Sequence, residues 1–115
     1  GLSVKRSLNP KVQWLKELCM DDQEVVKTFA RFPPLLGLSL EKNLKVKEQA
    51  MRDRGFADSQ LVSLLLSFPR LFGSRLDLLT HRMDVLAAQG LLTEKSLRNS
   101  IALTDAKFAA RFESA

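Results

Sequence analysis

Phe32-Pro33-Pro34-Leu35-Leu36-Gly37-Leu38-Ser39-Leu40-Glu41 and Phe68-Pro69-Arg70-Leu71-Phe72-Gly73-Ser74-Arg75-Leu76-Asp77 stand 36 positions apart in this chain. The same shift places Val25, Val26 and Phe29 on Leu61, Val62 and Leu65. A second shift carries Leu61, Leu65, Phe72 and Leu76 onto Leu97, Ile101, Phe108 and Phe112, and a backward one carries Leu44 and Met51 onto Leu8 and Leu15. Self-similarity at a period between twenty and fifty residues is the signature of a repeat array.

Within one period the apolar spacing is helical. Val25, Val26, Phe29 and Phe32 recur at three and four residues, as do Leu61, Leu64, Leu65 and Phe68. Asp21 with Glu24, and Asp58 before Leu61, read as N-terminal caps. Proline removes an amide donor and ends each first helix. Pro33–Leu36 and Pro69–Phe72 then suit a single 3₁₀ turn. Ser39 and Ser74 read as caps of the next helix, Ser74 forming a capping box with Asp77. That helix is predicted to run to about Arg54 or Gln89, where Gly55 and Gly90 close it.

The expected fold is all-α, a helical-repeat solenoid with two α-helices and a short Pro-initiated 3₁₀ turn per unit. The whole chain, 1–115, reads as one domain of about two and a half units. Residues 1–20 form a partial leading unit with Cys19 where later units have glycine, 21–56 and 57–91 are complete, and 92–115 form a degenerate capping unit. In the last, Thr104-Asp105 replaces Phe-Pro, and Asp105 is expected to cap a helix through Phe112. Gly1 begins mid-pattern and reads as a processed end or the edge of a larger protein. One unit cannot cover its own apolar stripe, so the next must. Phe29, Phe32, Leu36, Leu65, Phe68, Phe72, Ile101 and Phe108 are expected to form much of the core, each contributing roughly 1.5–3 kcal/mol by burial.

Composition narrows the function classes. The 115 residues carry 45% hydrophobic and 27% charged side chains, which suits one folded domain rather than wholesale disorder. One cysteine rules out an internal disulfide, and one histidine beside it cannot complete a structural zinc site. No apolar run approaches the roughly 20 residues of a membrane span. The five glycines are scattered, so no phosphate-cradling loop is present, and His81 has no serine or cysteine in phase. The expectation is a non-enzymatic protein with no cofactor, no metal, no small-molecule substrate and no membrane partner.

Eighteen Lys and Arg against thirteen Asp and Glu give a net charge of +5. Nucleic acid, an acidic protein or an anionic membrane would each suit that excess. Phosphate contacts need cations along one face. The candidates are Lys11 and Lys16 on the N-terminal helix, with Lys5 and Arg6 before them. Lys42, Lys45, Lys47, Arg52 and Arg54 follow on the second helix of the first full unit, then Arg70, Arg75 and Arg82 in the next. Lys45 and Arg52 share one side of a helix, as do Lys47 and Arg54. The alternative is a solvated surface, with Glu41, Glu48 and Asp53 pairing locally. Trp14 and Phe56 are the aromatics expected near a surface, where a base could stack. Cys19 reads as a packing residue and His81 as exposed.

The pattern resembles the mitochondrial transcription termination factor (mTERF) repeat. That unit ends a helix in an apolar residue plus proline, continues through two apolar positions into a Ser-x-(Glu/Asp)-x-Leu start, and closes a leucine-rich helix on glycine. Phe32 to Leu44 with Gly55, and Phe68 to Leu79 with Gly90, follow it. Leu103 to Phe112 is similar to the family's ending, and Leu8 to Leu18 to its second helix. The resemblance implies a right-handed arrangement of three-helix units and an organelle location, mitochondrion or chloroplast. It also implies work on organelle nucleic acid, either double-stranded DNA as in transcription termination, or RNA. An array this short wraps little duplex. A structural subunit of the mitochondrial ribosome, touching ribosomal RNA and ribosomal proteins, is therefore the alternative, and a protein-only adaptor the third.

Overall fold

The computed structural model of the chain describes residues 10–113. Leu8, Lys5, Arg6 and the beginning of the leading unit lie outside the described residues. Every regular element described is helical, with no strand among the described residues. Helix α1 (Pro10–Glu17) is followed by α2 (Asp22–Arg31), a 3₁₀ turn (Pro33–Gly37), a π-helical turn (Leu40–Leu44) and α3 (Lys45–Asp53). Then come α4 (Asp58–Ser67), a second 3₁₀ turn (Pro69–Gly73), α5 (Leu76–Ala88), α6 (Glu94–Ile101) and α7 (Asp105–Phe108), which passes into a π-helical turn (Ala109–Glu113).

The two copies build their corners from the same bonds. The Phe32 amide donates to the Thr28 carbonyl, Leu35 to Phe32 and Leu38 to Leu35. In the second copy Phe68 donates to Leu64, Leu71 to Phe68 and Ser74 to Leu71. First helices stack in one layer, α2 on α4 and α4 on α6, while α3 packs on α5 in the other and the 3₁₀ turns meet between them. The result is an all-α helical-repeat array with one continuous core. Leu35, Leu44, Met51, Leu61, Leu65, Leu71, Phe72 and Leu79 are all fully enclosed in it.

The left-handed residues that close the long helices recur three times. Gly55 has φ +99°, Gly90 +71° and Cys19 +73°. At each, the following amide reaches back to the third carbonyl from the helix end: Met20 to Leu15, Phe56 to Met51, Leu91 to Leu86. Cys19 thus stands in the glycine position, but its side chain is exposed rather than packed, because that position points away from the core.

The spacing from Pro33 to Gly55 is one residue longer than from Pro69 to Gly90. The π-turn absorbs the extra residue. Leu44 donates to the Ser39 carbonyl and Lys45 to the Leu40 carbonyl, each five residues back, so one turn holds five residues instead of four. Matching Leu40-Glu41-Lys42-Leu44 to Leu76-Asp77-Leu78-Leu79 leaves Asn43 as the insertion. Past it the two helices correspond at 35 residues, not 36. Leu44 then matches Leu79 and Met51 matches Leu86, all four fully buried.

Several caps differ from the sequence expectation. Asp21 and Glu24 form the expected box, with Glu24 N to Asp21 Oδ1 at 2.8 Å and Asp21 N to Glu24 Oε1 at 2.9 Å. Ser39 caps as expected by accepting from the Lys42 amide. Ser74 does not, because it closes the second 3₁₀ turn with its amide on the Leu71 carbonyl, and Arg75 takes the N-cap position without a side-chain bond. Asp58 lies inside α4, and Ala57 holds its cap place. Thr104, not Asp105, caps α7 by accepting from Lys107 N. Leu36 is half exposed rather than core, since its turn points Leu35 inward instead. Trp14 and Phe56 are buried, Trp14 edge-on to Phe72 at 6.0 Å, so neither offers a face to a base.

Candidate nucleic-acid interface

The structure sorts the cations into three kinds. The first kind joins neighbouring copies. Lys11, Lys47 and Arg82 each stand eight residues before the left-handed residue closing their helix. Lys11 Nζ donates to the Leu36 carbonyl at 2.5 Å and Lys47 Nζ to the Phe72 carbonyl at 2.7 Å. Leu36 and Phe72 occupy the same place in successive 3₁₀ turns, so the bond itself repeats. Arg82 makes the degenerate version, donating to the Ser100 and Leu103 carbonyls and pairing with Asp105 at 2.8 Å, its guanidinium 4.8 Å from the Phe108 ring centre. Lys47 and Arg82 are 3% and 2% exposed. Both belong to the set expected to touch phosphate, but the Phe72 carbonyl holds the enclosed Lys47 ammonium, and two carbonyls with the Asp105 carboxylate hold Arg82, in place of solvent. Burial also pushes the Lys47 ammonium below the ordinary lysine range.

The second kind is paired on the long-helix layer. Lys16 meets Asp22 at 2.6 Å, Lys45 meets Glu41 at 3.1 Å, and Arg75 lies 3.6 Å from Asp77. Arg52 bridges Glu48 and Asp58, while Glu48 also accepts from the Trp14 indole at 2.7 Å. The hydrogen bonds that Arg52 donates to the Glu48 and Asp58 carboxylates raise its pKa further. Arg54 clamps Asp84 with two nitrogens, at 2.8 and 3.2 Å, and holds that carboxyl below its usual range. Lys45 and Arg52, expected on one cationic side, are thus each neutralised at close range.

The third kind is exposed and meets no carboxylate among the described residues: Lys27, Arg31, Lys42, Arg70, Lys95, Lys107 and Arg111. Only Lys42 and Arg70 belong to the set expected from sequence. Lys27, Arg31 and Lys95 lie on the first helices. Gln23, Ser59 and Lys95 are equivalent positions 36 apart, as are Lys27, Ser63 and Asn99, all six exposed. Arg31 and Ser67 continue the stripe, and Arg98 Nη1 donates to Ser67 Oγ at 3.3 Å, joining α6 to α4. The acids of α2, α4 and α6 are confined to the first turns, at Asp22, Glu24, Asp58 and Glu94. Beyond those turns the stripe carries amides, hydroxyls and cations only. A repeat-aligned search for acid-free columns would have found it.

This is an all-α array of stacked two-helix repeats in which Lys27, Arg31 and Lys95 of the first-helix layer are exposed and meet no carboxylate among the described residues. The chain belongs to the mTERF family, whose sequence model matches residues 1–94. Members of that family are generally non-enzymatic, organelle-associated and bind nucleic acid. No curated protein and no solved structure matches the chain at a significant level. No described helix is long and apolar enough to cross a membrane, and the described residues hold no cluster of metal-ligating side chains.

Proposed function

We infer that the chain is a non-enzymatic nucleic-acid-binding protein of mitochondrial gene expression, taking ribosomal RNA or duplex DNA on the layer formed by α2, α4 and α6. The supporting observation is the charge sorting. On the long-helix layer Lys45, Lys47, Arg52, Arg54 and Arg82 are buried or paired and Lys42 is exposed and unpaired among the described residues, whereas Lys27, Arg31 and Lys95 of the short-helix stripe are all exposed and form no ion pair there. Phosphates displace water and counterions from such cations without first breaking an ion pair. The stripe steps from unit to unit, with the array divided at residues 20, 56 and 91, so one backbone would cross successive copies.

Mobility-shift titrations over a range of salt test the reading. The Lys27→Glu, Arg31→Glu double variant should weaken binding at least tenfold and flatten the salt dependence by roughly two phosphate contacts. Lys45→Glu should stay within a few-fold of the unmodified chain. Equal effects from both would return the interface to the long-helix layer. Co-sedimentation with ribosomal particles in high salt would make the ligand ribosomal RNA within a permanent assembly.

A further inference from the structure

The three first helices end side by side, and a groove of about 450 Å³ opens between those ends. Phe32, Phe68, Ile101 and Ala102 form its apolar wall, Arg70 and Ser74 its polar rim. Each proline forces the preceding phenylalanine out of helical geometry, at φ −141° for Phe32 and −150° for Phe68. Their rings stay partly exposed in consequence. Gly73 forms the floor beneath Phe32: a Cβ there would sit 2.7 Å from Phe32 Cζ. Gly37, its counterpart in the first copy, has nothing within 4 Å. The ring of one copy thus lies over the bare turn of the next, and the groove exists only where copies stack.

No carboxylate lines this groove. Arg70 is exposed and unpaired among the described residues, Arg31 directly precedes Phe32, and Arg98 reaches the hydroxyl beside Phe68. Aromatic faces among guanidinium groups are what unpaired bases stack on while their phosphates are neutralised. A duplex keeps its base faces covered by their neighbours and cannot use the wall. We propose that the groove takes the unpaired bases of a single-stranded segment of nucleic acid, with Arg31, Arg70 and Arg98 on its phosphates. This rests on the nucleic-acid reading above and adds which form of nucleic acid is held, and where.

The test is fluorescence anisotropy of the full chain with a mixed-sequence twelve-nucleotide RNA, the same sequence as single-stranded DNA, and its duplex. Arg70→Glu and Ala102→Glu each put a carboxylate into the groove at an exposed position, and circular dichroism melts confirm that each variant folds. Either change should weaken binding of both single strands at least tenfold and leave the duplex within twofold. Ultraviolet cross-links should map to the peptides holding Phe32 and Phe68. Equal loss for single strand and duplex, or cross-links confined to α3 and α5, overturns the groove while leaving the nucleic-acid function standing. Failure of all three probes to bind at low salt overturns both. Saturable binding of an acidic peptide, lost in the same variants and without RNA binding, overturns the proposal in favour of a protein partner.

Discussion

Lys47 shows how one position decides between structure and recognition. Its ammonium is enclosed, with Nζ on the Phe72 carbonyl, and burial lowers its pKa from the ordinary 10.5. The native chain therefore releases this proton at lower pH than the unfolded chain. Between the two values the unfolded chain binds more protons, and stability rises with pH. Urea midpoints of the unmodified chain, measured against Lys47→Met, should climb as the pH approaches 10.5 and show a constant difference below the native value. A difference independent of pH throughout would mean that the ammonium is solvated. Cys19 is the second instructive residue. At φ +73° it pays for a conformation that glycine adopts freely. Its side chain is exposed, so Cys19→Gly should stabilise the chain by about 0.5–1 kcal/mol in chemical denaturation, and Cys19→Val should destabilise it.

The long helix of the first copy carries one residue too many for an α-helix in register at both ends. Its N-terminus must meet the first 3₁₀ turn, and Leu44, Lys47 and Met51 must face the core and the next copy. Five residues in the turn Leu40–Leu44 reconcile the two demands. Asn43 carries the mismatch, with Oδ1 enclosed and unpartnered among the described residues. Deleting Asn43 should convert that turn to α-helix, keep the cooperative melt, and stabilise the chain by about 1 kcal/mol through loss of the unsatisfied oxygen. Deleting Ala50 instead leaves the π-turn in place and rotates Met51 out of register. That variant should lose several kcal/mol, measured by the same thermal melts. If both deletions behave alike, the π-turn is not the site of the insertion.

Stability in a stacked array is a sum over neighbours, so the joints between copies determine how it comes apart. Arg82 is such a joint: it holds two carbonyls and the Asp105 carboxylate of the C-terminal segment to α5. Arg82→Met would leave those carbonyls without their donor and cost about 2–3 kcal/mol. Hydrogen exchange should report faster opening of α6 and α7 than of α3 and α4. Uniform acceleration along the chain would mean that the array unfolds as one unit.

The helices, the proline corners, the closing glycines and the stacking of copies were legible in the chain, because apolar periodicity and backbone-restricting residues act over a few positions. The place of Cys19 at a glycine position was legible in the same way, but its expected role as a packing residue is not what the structure shows, since its side chain is exposed. The fates of Lys11, Lys47 and Arg82 were not. Lys11 and Lys47 stand 36 apart, but Arg82 joins them only after the one-residue insertion at Asn43 is removed, and the carbonyls that hold Lys11 and Lys47 lie 25 residues away in the next copy. Trp14 likewise escaped, since Glu48 and Phe72 enclose it from two later copies. A cation's local neighbourhood reveals whether it lies on an outer helix face. Whether it meets a carbonyl, a carboxylate or water depends on which surface the stacked neighbour brings against it, and that is settled only when the copies pack.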